Sequence, residues 1–392
     1  MCRVAITETS SSSRTGAAGH LPPARLIDTA GAFEALCAEL RGQPALALDT
    51  ESDSLYRYHY RVCLIQLSTA TDDYILDPLS LLDLSPLGAL LADPAVEKVF
   101  HAADNDILVL KRDFGFAFAR IFDTMIAARI LGLRRVSLAA LLADHYGVQL
   151  DKRAQLTDWG RRPLSSEQLS YAHLDSHYLL SLRDLLTEEL KARGRWSEAQ
   201  EAFAALPRVT YVEKRFDSEA FWGIKGARDL GPRELAVLRE LYLWRDGRAR
   251  SLDLPPFKVV DDRQLVRLSV AQPQTAGELG LSRYQAGHYG GELLEVIRRG
   301  QSAPPPHLPA RTHANGFRPD PDALARYERL RVWRTQRATE RGVDSDIVLT
   351  NDLLLAIARS APASLEELAG LGLLGPWKLA EYGPELLRVL RE

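Results

Sequence analysis

Hydrophobic and polar positions in the front half of the chain switch repeatedly between a two-residue period and a helical one. Phe33 to Leu40 predicts an amphipathic helix, and the short apolar run Ala45 to Leu48 follows it, ending at Asp49. Val62 to Leu67 (VCLIQL) and Tyr74 to Leu76 read as buried strands, separated by the turn-rich TATDD. Leu84 to Ala92 is helical in pattern, Val96 to Phe100 is another β-prone run, and helical periodicity dominates from Asp104 onward. Three consecutive strands and a fourth reached through a helix predict an α/β domain. A strong helix start lies at Ser165, where Gln168 has capping-box spacing, and leucines at helical intervals continue to about Leu190. Residues 195–225 read as a helix plus connector. Gly300 to Pro321, rich in Pro, Gly and His, reads as a linker.

An internal repeat occupies the back half. Shifting the chain by 89 residues places Trp244-Arg245 on Trp333-Arg334, Arg248-Ala249 on Arg337-Ala338, Val259 on Val348 and Leu265 on Leu354. After a four-residue insertion, Tyr289-Gly290 falls on Tyr382-Gly383, and Glu292-Leu293-Leu294 on Glu385-Leu386-Leu387. Two copies of one small helical module therefore follow the α/β domain, and the paired tryptophans read as anchors of their cores.

Composition narrows the class. At about 150 residues per domain, 392 residues make two or three domains. With 46% hydrophobic and 26% charged residues, a wholly disordered, collagenous or rod-like chain is excluded. No apolar run approaches the roughly 18–20 residues of a membrane span. The first twenty residues lack the apolar centre of a signal peptide and read as a tail. Cys2, Cys37 and Cys63, without CxxC or His pairing, argue against a disulfide framework or zinc site, so a reducing cytoplasm fits. The net charge of −3 offers no global field for nucleic acid. Residues 1–210 carry 22 basic and 27 acidic side chains, an odd balance for a phosphate binder unless the carboxylates hold cations.

Several acidic positions are candidates for that task. Asp49 and Glu51 stand at i and i+2 at the end of a β-run, so strand alternation points both to one face. Two adjacent anions inside an apolar sheet are costly without a compensating cation. Asp106 follows Val99-Phe100-His101 where strand gives way to helix, a place where ligands collect. Spacing alone does not choose it over Asp104, the natural N-cap; Asp113 reads as surface, and Asp123 as a helix cap. Tyr171 and Asp175 are four apart on the strongest helix and share a face. Each of these signals alone has a bland reading as solvated acids or helix packing.

Taken in order, aspartate-x-glutamate on a strand, an aspartate after a later strand and Tyr-x-x-x-Asp on a helix resemble the DEDD exonuclease superfamily, in its tyrosine-containing branch. Val99 to Phe122 and Thr157 to Leu164 are similar to the ribonuclease D family, in which the third carboxylate stands five residues after the junction histidine, here Asp106 after His101. The histidine-containing branch would need His five residues before Asp175, and that position is Ser170. The duplicated module resembles the helicase-and-RNase-D C-terminal (HRDC) domain. The resemblance covers roughly residues 24 to 392.

What it implies is an α/β ribonuclease H-like exonuclease domain with a mixed sheet flanked by helices, followed by two small all-α bundles. The corresponding boundaries are a tail at 1–22, the exonuclease domain at 23–210, the first HRDC domain with its connector at 211–300, a linker at 301–320 and the second HRDC domain at 321–392. The implied activity is 3'-to-5' exoribonuclease, releasing nucleoside 5'-monophosphates in 3' maturation of tRNA and other small structured RNAs, by a monomer with no obligate protein partner. Phosphodiester hydrolysis needs an anionic transition state and a departing oxyanion stabilised, which two divalent cations about 3.5–4 Å apart can do. Mg²⁺ or Mn²⁺ would be held by Asp49, Glu51, Asp106 and Asp175, with Asp49 bridging. Tyr171 would orient rather than deprotonate the attacking water, since a phenol near pKa 10 is a poor base. Lys152, Trp159, Arg162, Gln66 and His101 are candidate substrate contacts. Against these stand a packing role for Trp159, an Arg162–Asp158 pair and a core hydrogen bond for His101. An exodeoxyribonuclease, or a catalytically silent nucleic-acid scaffold, would share the pattern; no GxxxxGK[ST] loop is present, so the chain is not itself a helicase.

Overall fold

The computed structural model describes residues 22–151, 153–213, 215–307 and 320–392. The expected tail up to residue 21, most of the expected linker, and Lys152 lie outside the described residues. The chain forms two compact units. One contains residues up to Glu51, Val62–Tyr211 and the C-terminal helices; the other contains Ser52–Arg61 and the chain from Val212 through the first helical module.

The first unit opens with β1 (Arg25–Ile27), α1 (Ala30–Leu40), β2 (Ala45–Ser52), β3 (Val62–Ser68) and β4 (Asp73–Leu76). It continues with α2 (Ser85–Ala92), β5 (Glu97–Phe100), α3 (Asp104–Phe114), β6 (Ile121–Asp123), α4 (Thr124–Leu131), α5 (Leu138–Tyr146), α6 (Ser166–His177), α7 (Leu179–Ala192) and α8 (Trp196–Ala205). The strands form one mixed sheet in the order β1-β4-β3-β2-β5-β6. β4 pairs antiparallel with β3, while β1–β4, β2–β5 and β5–β6 are parallel. Among the described residues six strands replace the four expected, because β1 and β6 have only three residues each, too few to show a period. β2 runs on through Ser52 instead of ending at Asp49.

Alternation along β2 builds the two faces of this layer. Leu46 and Leu48 join the core containing Phe33, Ile107 and Leu110, which lies under α1 and α3. Ala45 and Ala47 join the core of Phe122, Leu131 and Leu182 under α4 and α7. A continuous leucine period predicts one helix from Ser165 to about Leu190; the structure breaks it at Tyr178 into α6 and α7. The capping box is formed as expected, Ser165 Oγ accepting from Gln168 N–H and the Gln168 side chain accepting from Ser165 N–H.

The second unit contains α9 (Pro232–Leu252), α10 (Pro256–Val259), α11 (Asp262–Ala271) and α12 (Arg283–Ser302) around Leu238, Leu265, Tyr289 and Leu293. Ser52–Arg61, the connection between β2 and β3, belongs to it: Tyr58 Oη donates to Asp246 Oδ1 at 2.7 Å, and His59 N–H donates to Asp253 Oδ1 at 3.1 Å.

The C-terminal module, α13 (Pro321–Arg341), α14 (Ser345–Val348), α15 (Asn351–Ser360), α16 (Leu365–Gly370) and α17 (Pro376–Arg391), repeats that arrangement within the first unit. Trp244 Nε1 donates to Glu292 and Trp333 Nε1 donates to Glu385; Arg245 reaches Val260 O as Arg334 reaches Leu349 O. These repeated pairs explain why the same residue types recur in both copies. The module docks on α4 and α8. Arg341 forks onto the buried Glu198, Arg129 pairs with Asp346, and Glu201 accepts the Trp377 and Lys378 N–H groups at the start of α17. A carboxylate there meets the positive end of the helix dipole. Gly132 ends α4 at φ +77°, and a Cβ on it would lie 2.2 Å from Gly342 O, so only glycine permits this approach. Among the described residues no helix is long and apolar enough to cross a membrane.

Candidate active site

The parity that sorts β2 continues into its polar end. Asp49 and Glu51 extend the row of Ala45 and Ala47, whereas Thr50 points with Leu46 and Leu48 toward α3. There Thr50 Oγ1 donates to Asp106 Oδ1 at 2.5 Å. Thr50 was not among the sequence candidates, although its opposite parity to Asp49 was legible.

Asp106 stands in the first turn of α3, where a carboxylate meets the free N–H groups of the helix start. Its placement depends on the turn before it. Ala102 adopts φ 62°, a left-handed conformation uncommon for a residue with a Cβ. Asp123 holds that turn by accepting from Ala102 and Ala103 N–H, and also caps α4 through Met125 and Ile126 N–H. Asp104 is the first residue of α3 and makes no cap bond, which corrects its expected role as N-cap. Asp113 is no surface acid either: it accepts the Val62 N–H at 2.7 Å and pins the start of β3.

From α6 come Tyr171 and Asp175, one turn apart. Ligand oxygens of Asp49, Glu51 and Asp175 lie within 4.8 Å of one another. Asp106 stands outside that tight set but close enough to raise the proton affinity of Asp49, Glu51 and Asp175. No Lys or Arg pairs with any of the four among the described residues. Burial, then mutual repulsion, pushes Asp49 well above the usual carboxylate range and Glu51 up to about 9. Burial also lifts Asp106 and Asp175 to about 7. Half-buried Asp49 and Glu51 with buried Asp106 and Asp175, all oxygen donors without a basic partner among the described residues, are what a hard divalent cation requires, so the residues fit such an ion. Tyr171 is pushed up by burial and by the charges of Asp175, Glu51 and Asp49, so its phenol keeps its proton, and Asp175 is the carboxylate near enough to accept from it.

Cation binding must displace these protons. Apparent Mg²⁺ affinity is therefore expected to rise as pH rises through about 6 to 9, since ordinary carboxylates would already be ionised near pH 4. Calorimetric titration in buffers of different ionisation enthalpy should show proton release at pH 7 that fades above pH 9.

The five sequence-derived residues thus converge, whereas the substrate contacts do not. All five N–H groups of Arg162 are used: Nε and Nη2 on Asp77, Nη2 also on Cys63 O, and Nη1 on Trp159 O and Arg161 O. No fork remains for phosphate, and its partner is Asp77 rather than Asp158. Trp159 is 1% exposed, packed against Cys63, Leu64 and Ala172, so it has no face for a base. Gln66 is fully buried in β3, with no partner for either amide atom among the described residues, and offers substrate no exposed surface there. His101 bonds Thr124 Oγ1 through Nδ1, and burial lowers it to about 4, consistent with a structural hydrogen bond. Lys152 lies outside the described residues. Replacing Arg162 with Ala should destabilise the fold by about 1–3 kcal/mol by orphaning buried Asp77, read as a lower urea midpoint.

A cleft of ≈ 760 Å³ adjoins this centre, lined by Arg153, Thr157, Gln168, Ser170, Tyr171 and Leu174 among others.

Comparison with known proteins agrees with the geometry. Residues 24–191 match the family model described as 3'-5' exonuclease, and residues 234–297 and 323–390 each match the HRDC domain. The chain is 31% identical over 378 residues to ribonuclease D of Granulibacter bethesdensis, covering 94% of this chain and 93% of that protein. It is 35% identical over 290 residues to ribonuclease D of Escherichia coli, covering 73% and 77%. The crystal structure of the E. coli enzyme, described as an exoribonuclease involved in structured RNA processing, superimposes with TM-score 0.63 at 27% identity over 94% of this chain and 98% of that one. The catalytic core of RRP6 from Trypanosoma brucei gives TM-score 0.65 at 30% identity over 71% and 80%. The chain belongs to the ribonuclease D family of 3'-to-5' exoribonucleases.

Proposed function

We propose that this exoribonuclease hydrolyses RNA by a two-metal route, releasing nucleoside 5'-monophosphates from single-stranded 3' ends of tRNA precursors and other small structured RNAs in the cytoplasm. The observation that carries this reading is the convergence of Asp49, Glu51 and Asp175 on one point beside Tyr171, with Asp106 adjoining and no basic side chain among the described residues to balance them. Asp49, Glu51 and Asp175 would hold one cation, and Asp106 with Asp49 the second. When bound, Mg²⁺ or Mn²⁺ supplies positive charge to the attacking and leaving oxygens.

The side chains perform the rest. A phenol that keeps its proton cannot act as base, so Tyr171 positions the attacking water by hydrogen bonding while Asp175 fixes the direction of its hydroxyl. Thr50 and Asp123 act through Asp106, the first by bonding its carboxylate and the second by holding the turn that starts α3. The cleft bordered by Tyr171 takes the 3' end of the RNA. The exonuclease domain is assigned to residues 23–210 and the HRDC domains to 211–300 and 321–392, where they guide single strands as part of a monomer.

Tyr171→Phe should lower kcat by about 10- to 100-fold with little change in KM, because the lost bond is strongest in the transition state. Single-turnover cleavage with chromatography of the products tests both parts. A variant of near-full activity, or products bearing 3'-phosphates, would remove the proposal.

A further inference from the structure

Helix α6 carries a second set of chemistry-bearing side chains that the active site does not use. At about 100° per residue, His173 and His177 project roughly opposite to Tyr171 and Asp175. They meet Asp73, the first residue of β4. His173 Nε2 lies 2.8 Å and His177 Nδ1 2.7 Å from the same oxygen, Asp73 Oδ2. All three side chains are at most 9% exposed, and the three ligand atoms fall within 4.8 Å of one another. Ser68 Oγ supports the cluster, bonding both Asp73 and Ser176 Oγ.

We propose that Asp73, His173 and His177 form a binding site for a borderline divalent cation of the zinc class, separate from the catalytic carboxylates. Two imidazoles and one carboxylate are a recurrent zinc ligand set, with a fourth position left for water. Bonds of about 2.0–2.1 Å place tetrahedral ligands about 3.3 Å apart, so each imidazole nitrogen needs to part from Asp73 Oδ2 by only about half an ångström. In the contacts as they stand, one N–H of each ring faces Asp73 Oδ2, and binding Zn²⁺ requires each neutral imidazole to carry its proton on the other ring nitrogen instead. Donor type sorts the ions: the all-carboxylate centre suits Mg²⁺ or Mn²⁺, the imidazole-rich one Zn²⁺. Cysteine spacing could not reveal this site, since no cysteine takes part. A bound ion would pin the helix that carries Tyr171 and Asp175 to β4.

The proposal is independent of RNA cleavage and is tested by metal content. Purified full-length protein would be loaded with Zn²⁺ in excess Mg²⁺, desalted and analysed by plasma mass spectrometry, beside Asp49→Asn, His173→Asn and His177→Asn. We expect one zinc per chain in the wild type and in Asp49→Asn, and a loss to background in either histidine variant. Should the histidine variants fail to fold, Co²⁺ loading of the wild type decides, through the visible bands of an imidazole-ligated tetrahedral ion. Absence of retained zinc and of those bands would reduce the cluster to a hydrogen-bonded knot and overturn the proposal. So would zinc that disappears in Asp49→Asn, because it would then occupy the catalytic centre.

Discussion

Asp49→Asn is expected to abolish RNA shortening, by at least about a thousand-fold, the scale of losing a group that stabilises transition-state charge. It should also stabilise the protein in the absence of divalent cations. Asp49 is half-buried among Asp106, Asp175 and Glu51, and desolvation with their repulsion raises its proton affinity well above normal. A carboxyl whose folded-state pKa is raised binds protons more tightly in the native state than in the unfolded one. Metal-free stability therefore falls as pH climbs from about 4, the ordinary carboxylate value, through the raised values near 7 and 9 of its neighbours. A neutral asparagine relieves part of that repulsion. At pH 8 in EDTA the variant should melt a few degrees above the wild type, roughly 1 kcal/mol or more for a unit of this size; at pH 4 the two should coincide. A merely structural aspartate would lose stability on substitution, so the opposite sign would count against the cation site.

Glu198→Ala should be the most damaging single change to the fold. Glu198 is 1% exposed on α8 and receives both arms of Arg341, which also bonds Tyr382. Arg195 lies close enough to Arg341 to be pushed toward deprotonation chiefly by burial and then by that second guanidinium. Removing the carboxylate leaves two neighbouring cations without their anion, a loss of about 3–5 kcal/mol. Calorimetry should show a new low-temperature transition as the C-terminal module undocks from α4 and α8. Replacing both partners, Glu198→Met with Arg341→Met, should restore much of the loss, because well-packed apolar pairs often equal buried ion pairs. Failure of the double variant to recover would indicate that Tyr382 and Arg195 depend on Arg341 itself.

Asp49 is legible in the sequence, and the partner of Glu198 is not. The five residues Asp49, Glu51, Asp106, Tyr171 and Asp175 were legible because local periodicity gave their faces and the order of their motifs gave the family. The repeat was legible because each module reuses a tryptophan–glutamate bond and an arginine–carbonyl bond of its own. What stayed hidden depends on partners remote in sequence. Arg162 reads as open to phosphate in the sequence, but Asp77, 85 positions earlier, occupies its fork. Nothing near Glu198 points to Arg341, 143 residues on. His173 fits no branch of the exonuclease motif, and its neighbour Asp73 lies 100 residues away. The end of β2 is hidden for a different reason: Asp49 to Ser52 is polar enough to look like a turn, yet the strand continues, with Asp49 and Glu51 on one face and Thr50 on the other. The break at Tyr178 leaves the leucine period intact, so periodicity could not report it.

The most direct measurement is degradation of a 5'-labelled single-stranded RNA and its DNA counterpart with Mg²⁺, Mn²⁺ or EDTA, beside Asp49→Asn. A ladder shortening from the 3' end of the RNA, dependent on the cation and absent in the variant, is the expected result. RNA that is bound but never shortened, or trimmed equally by Asp49→Asn, would contradict a reaction centred on these carboxylates.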